Sequence, residues 1–284
     1  MHIRNPIEWA LSAPGHAVEE IGAADGETYW AEAKTLPVNI RRIGIEDLAV
    51  ALRRGFEDFE ADRTDIVVLA LVFPIAGLFL SAVVANGHLL PLVVPLVAGF
   101  ALIGPLASVW LMELSRLRES GRTPRVIEAA GILRSPQIGA ILAMGGLQIL
   151  LLLLWLGAAE FIYIRTLGAA EPRSFAAFVA AALTTPAGWA MMAAGLCTGF
   201  VFAVAALAIG VTSFPLLLDR PADMPAALGI SIRALRRNPA ILGLWGLIVL
   251  VGLALGAVPG LLGIAIVLPI LGHSTWHLYR RIID

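Results

Sequence analysis

The chain has 284 residues, 59% of them hydrophobic and only 14% charged, with a formal net charge of −1. Soluble domains run nearer 45–50% apolar and about 25% charged. So little polar surface excludes a water-soluble globule and makes lipid the expected solvent. A single cysteine, Cys197, excludes an intramolecular disulfide and any multi-cysteine metal site.

Residues 1–43 are interrupted by Pro6, Pro14, Gly15, Gly22, Gly26 and Pro37 and are expected to form a flexible cytoplasmic tail. Its Trp9, Tyr29 and Trp30 are suited to touch the membrane surface or a partner. The opening MHIRNPIEWALSAPGHAVEE has no apolar core of a signal peptide, so no cleaved leader is expected. Over 44–64 the pattern becomes helical, with Leu48, Ala49, Leu52, Phe56 and Phe59 on one face. Glu46 and Asp47 stand at its start, where they complement the helix dipole. This predicts an amphipathic interfacial helix lying on the inner membrane surface.

Residues 65–284 read as a membrane domain. About 20 apolar residues are needed to cross a hydrocarbon core roughly 30 Å thick. Spans are predicted at about 66–85, 89–112, 138–159, 187–213, 240–258 and 260–279. Asn86-Gly87-His88 marks the first outer turn, and Pro259-Gly260 divides the last apolar stretch into a hairpin. Ser174 to Leu183 is apolar but too short to span, so an interfacial or re-entrant helix is expected there. With the N-terminus inside, 18 of the 20 Lys and Arg fall in cytoplasmic segments, leaving Arg165 and Arg173 outside. The positive-inside rule therefore places both termini in the cytoplasm. The predicted fold is an all-α integral membrane protein of six transmembrane helices, arranged as three hairpins with cytoplasmic amphipathic helices.

A threefold internal repeat is suggested by AVALRRGFEDFEADRTDI (49–66), VIEAAGILRSPQIGAIL (126–142) and ALGISIRALRRNPAILG (227–243). Each of these surface segments leads into a hairpin whose second span carries a proline: Pro105, Pro215 or Pro269. Prolines free a backbone carbonyl and bend the helix, so these three bends could bring Glu113, Asp219 and His277 together at the cytoplasmic end. The alternative is that each is an ordinary interface group paired with Arg116, Arg220 or Arg280.

His273 and His277 share a helical face at a spacing that can serve a metal or haem, although Trp276, Tyr279 and Arg280 make an interface-anchor cluster equally natural. No metal site or cofactor is expected. Gln148 is the deepest strongly polar side chain, suited to bonding helices together or touching a solute. No charged residue lies at the middle of a predicted span, which weighs against ion-coupled transport. No HExxH, GxSxG or GxxxxGK[ST] pattern occurs, and the basic residues follow topology rather than a nucleic-acid surface.

The stretches RTDIVVLALVFPIAG, GFALIGPLASVWLMELSR, ILRSPQIGAIL, TTPAGW, VTSFPLLLDR, NPAILGLWGLI and VLPILGHSTWHLYRR resemble a bacterial integral membrane family, domain of unknown function 2189. The resemblance runs from about Arg41 to Arg281 and implies a bacterial inner-membrane location; it carries over no activity. Some members bear automated labels as cytochrome c oxidase subunit I. A haem–copper core needs a far larger set of intramembrane histidines than the His273–His277 pair. The expected role is therefore a non-catalytic accessory, assembly or scaffold component of a membrane complex, reached through the N-terminal tail. The alternative is a small transporter or channel for a neutral or lipid-like solute.

Overall fold

A computed structural model of the chain describes residues 38–61, 92–168, 174–259 and 261–284, together with Ile66, Ala70, Leu71, Ile75, Gly77 and Leu78. The tail through residue 37, most of the expected span 66–85 and the Asn86-Gly87-His88 turn lie outside the described residues. Among those described the fold is helical, with one isolated antiparallel bridge between Ile40 and Ile283. The named helices are α1 (Ile45–Ala61), α2 (Val93–Ala107), α3 (Val109–Glu119), α4 (Ile138–Thr166), α5 (Phe175–Thr184) and α6 (Pro186–Gly210), then α7 (Ser213–Asp219), α8 (Met224–Arg237), α9 (Pro239–Ala257) and α10 (Ile264–Ile282). A 3₁₀ segment, Val126–Arg134, precedes α4.

Three described stretches are long and apolar enough to cross a membrane: Ile138–Thr166, Pro186–Asp219 and Pro239–Ala257. They fall where the third, fourth and fifth spans were expected. Their large apolar side chains stay exposed, among them Leu153 and Phe161 on α4, Leu196 and Phe200 on α6, and Leu247 and Leu255 on α9. Such faces need an apolar neighbour, lipid or another apolar protein surface. The 29 residues of α4 rise about 44 Å, longer than the hydrocarbon core, so its last turn with Arg165 projects beyond it.

Two of the three prolines mark interruptions. Pro105 sits inside α2 and removes a backbone donor; the helix ends at Ala107 and restarts as α3 after Ser108. The run beginning at Pro186 loosens at Val211-Thr212, and α7 starts with Pro215 at its third position, where no intrahelical partner is lost. Pro269 lies within the uninterrupted α10. Ser174 accepts a bond from the Ala177 amide at 3.1 Å to start α5. Thr185 then ends α5 and caps α6, donating to the Ala181 carbonyl at 2.7 Å and accepting from the Gly188 amide at 3.0 Å. The ten residues of α5 reach only about 15 Å and fold back along the start of α6.

Helix α10 occupies the centre, with 14 of its 19 residues buried. Helix α1 packs along it through Leu48, Ala51, Gly55, Asp58 and Phe59. This face is turned from the one expected: Phe56 is 47% exposed, while Ala51, Gly55 and Asp58 point inward. Gly55 permits the approach, since a Cβ there would lie 2.7 Å from Ser274 Cα. Helix α1 therefore docks on the bundle, and Ile45, Ala49 and Phe56 form a separate outward stripe, with the half-buried Leu52 at its edge against the core.

Residues 38–43, expected within the flexible tail, are tied to the end of the chain. The Arg41 amide donates to the Ile282 carbonyl at 2.8 Å, and the Asp284 amide to the Asn39 carbonyl at 3.1 Å. Asn238, at the corner between α8 and α9, accepts from the Ile43 amide at 3.0 Å and donates to the Arg41 carbonyl at 2.9 Å.

Candidate functional site

The polar side chains gather at one end of the bundle, where α1, α3, α7 and α10 meet. Asp58 reaches inward from the last turn of α1, and its Oδ2 accepts hydrogen bonds from Ser115 Oγ at 2.6 Å and His277 Nε2 at 2.8 Å. Arg118 Nη1 lies 3.2 Å from Asp58 Oδ1 and also donates to the Asp58 backbone carbonyl at 3.1 Å. Ser115 Oγ is 2.8 Å from His273 Nδ1. Since the serine proton is committed to the carboxylate, His273 must donate from Nδ1, and His277 likewise carries its proton on Nε2. Both tautomers follow from a single buried carboxylate.

Burial on its own would raise the Asp58 carboxyl, but hydrogen bonds from His277 and Ser115 and the nearby imidazoles outweigh it and hold the group down at about 2. Asp58, Ser115, His273 and His277 are all buried. A buried charge persists only when paired and hydrogen-bonded, and this arrangement supplies both. The same contacts join three elements far apart in sequence.

A second group adjoins it. Asp219 Oδ2 accepts from Tyr279 Oη at 2.6 Å and lies 3.3 Å from Arg220 Nε and 3.5 Å from Arg280 Nη1. Glu119 receives Trp276 Nε1 at 2.9 Å and Arg280 Nε at 3.2 Å. Glu113 is gripped by both arms of the Arg116 guanidinium, at 2.7 and 2.6 Å. Glu113, Asp219 and His277 thus lie at the same end of the bundle, each with its own partner. The expected pairs Glu113–Arg116 and Asp219–Arg220/Arg280 form; His277 instead takes Asp58.

Gln148 stands apart, at mid-length of the apolar part of α4. It is fully buried, and among the described residues neither amide atom finds a hydrogen-bond partner. It lies against Gly210 of α6, where a Cβ would stand 2.6 Å from Gln148 Nε2 and 2.8 Å from Pro105 Cγ. Pro105, Gln148 and Gly210 therefore close on one another. Pro215 is buried in α7 beside Asp219, and Pro269 in α10 one turn before His273.

Sequence reasoning paired His273 with His277 but missed Asp58, Ser115 and Arg118. The available signal was small: Ala51, Gly55 and Asp58 recur along one side of α1, a small-residue seam ending in a carboxylate. Among the described residues, no group of three His, Cys, Asp or Glu is arranged to hold a metal ion.

Apolar helices exposed along their length and a polar network confined to one end define a helical integral membrane protein. Over residues 93–219, from α2 through α7, the chain matches the family model described as predicted integral membrane protein (DUF2189). This is the family its motifs resemble, and Asp58, His273 and His277 lie outside the matched stretch. No curated protein and no solved structure matches the chain.

Proposed function

We propose that this is a non-catalytic scaffold or accessory component of a membrane complex, with six spans, both termini in the cytoplasm and the N-terminal tail as its docking element. The observation that carries the reading is the closed contact of Pro105, Gln148 and Gly210 at mid-depth, where a solute path would need open, hydrated space. The paired carboxylates fit it as well: Asp58, Glu113 and Asp219 are each engaged by a cation or hydroxyl donor, as in a structural clamp. The test is mass spectrometry of what co-purifies with the full chain in mild detergent, beside a form lacking residues 1–37. A stoichiometric complex lost with the tail is expected; the same complex retained without the tail overturns tail docking.

The Gln148 amide favours a second reading. An unpartnered amide inside a membrane span is costly and suits a transient partner such as a neutral or lipid-like solute. Uptake by proteoliposomes that Gln148→Leu abolishes without loss of folding would establish transport in place of scaffolding.

A further inference from the structure

Beside the C-terminal turns of α8 the structure has an open groove of about 510 Å³, lined by Val38, Asn39, Ile40, Arg233, Arg236 and Arg237. All three arginines are exposed, and none has an ion-pair or hydrogen-bond partner among the described residues. They contrast with Arg116, Arg118, Arg220 and Arg280, each held by a carboxylate.

The opposite wall adds backbone polarity. Ile40 and Ile283 form the bridge, but the bonds run from the Arg41 amide to Ile282 and from the Asp284 amide to Asn39. In that antiparallel pattern the central residue turns its own N–H and carbonyl away from the partner strand. Among the described residues the Ile40 amide has no hydrogen-bond partner, and it lies on the segment that lines the groove with the arginines.

The depth of the groove follows from α9. Pro239 is its first residue, and its 19 residues rise about 28 Å, close to the roughly 30 Å hydrocarbon thickness. A helix with so little length to spare must begin at the edge of the hydrocarbon, so Arg236 and Arg237, just before Asn238 and Pro239, stand at headgroup level. Guanidinium groups there meet phosphate in preference to water.

We propose that Arg233, Arg236 and Arg237, with the Ile40 amide, form a binding site for the phosphate of an anionic phospholipid headgroup. The proposal needs only that α9 crosses the membrane and is independent of the scaffold reading. The site would hold a lipid at the corner where α8, α9, residues 38–43 and the C-terminal residues meet. There Asn238 already ties α9 to residues 41–43.

The test uses the delipidated full chain in a neutral detergent, titrated with short-chain phosphatidylglycerol and, separately, phosphatidylcholine, with bound lipid read by native mass spectrometry. Preference for phosphatidylglycerol is expected. In R233Q/R236Q/R237Q, at about a factor of five per arginine, binding should weaken about a hundredfold. The control R53Q/R54Q removes two positive charges from α1, where about a factor of five per arginine would cost about 25-fold if bulk charge alone mattered, and should stay within threefold of the parent. Helix content by circular dichroism checks folding, and the triple lysine variant should bind between parent and glutamine variant. Equal binding of the two lipids, or equal losses in both glutamine variants, would overturn the site. Displacement of the lipid by millimolar inorganic phosphate would make it a free-anion site. The segment before residue 38 carries six carboxylates and two cations. If lipid bound only after removal of residues 1–37, the groove would be that segment's seat, and the proposal would fall.

Discussion

Replacing Asp58 with alanine removes the group on which the α1–α3–α10 junction is built. Ser115 and His277 each lose a charge-assisted hydrogen bond, at 2.6 and 2.8 Å, and Arg118 loses its carboxylate at 3.2 Å. Bonds to charged groups contribute about 1.5–3 kcal/mol each. Breaking a buried ion pair costs about 3–5 kcal/mol. The Arg118 side chain keeps 23% exposure and its bond to the Asp58 backbone carbonyl, so the low end applies and about 3 kcal/mol is expected. Asp58→Asn keeps the shape and one acceptor oxygen and should cost about 1–2 kcal/mol. Because the junction ties α1 to α10, the loss should appear first as local opening. Hydrogen exchange of the amides in Ile45–Ala61 should accelerate about a hundredfold in Asp58→Ala, each 1.4 kcal/mol being a factor of ten. Amides of α4 and α6 should change far less. The argument fails if α1 keeps its protection in Asp58→Ala, or if Asp58→Asn behaves like the parent; in the second case packing rather than charge would hold the junction.

Gly55→Ala should push α1 off α10, because the new methyl group would stand 2.7 Å from Ser274 Cα; a loss of about 1–3 kcal/mol is expected, read by the same exchange experiment. Gln148→Leu removes two buried polar atoms that lack partners, so thermal unfolding in detergent should show no loss or a gain of about 1–2 kcal/mol; a clear loss would mean the amide is bonded in the working protein. Asp58 titrates lower in the folded protein than when unfolded, so its contribution is complete above about pH 4 and disappears as pH falls to about 2. Asp58→Asn should flatten that acid limb, and an unchanged acid midpoint would remove Asp58 as its cause.

The apolar stretches at 138–159, 187–213 and 240–258 were legible because length and lack of charge decide them; the structure extends the first two at their ends and shifts the third by one residue. A span was expected from about 240, and α8 stops at Arg237 and α9 starts at Pro239. The docking face of α1 was not legible. A hydrophobicity reading weights Leu52 and Phe56 heavily, yet the buried face favours Ala51 and Gly55, whose value is closeness rather than area. Asp58 carried no local sign of its role because its partners lie 57 and 219 residues away. The Arg116–Glu113 contact spans three residues and could be read along one helix, whereas Tyr279 on Asp219 could not.

These contacts change what α1 is. Helix α10 carries His273, Ser274, Thr275 and His277 in a segment that is buried, and a lipid neighbour would leave those groups without partners. The hydroxyls of Ser274 and Thr275 bond back to Ile270 and Leu271, but the imidazoles need Asp58 and Ser115 from outside the helix. Docking of α1 is thus a condition for α10 to hold its place, and α1 belongs to the membrane domain rather than to the tail before it. Its outward stripe, Ile45, Ala49 and Phe56, is left to meet the bilayer surface. The chain in turn leaves α1 through residues 38–43, fixed by Asn238 and by Ile282 to Asp284. A partner pulling on the N-terminal segment would load the α8–α9 corner and the end of α10 directly. That mechanical continuity, running through paired charges and a hydrogen-bonded corner, suits an anchoring protein better than one whose helices must move around a solute.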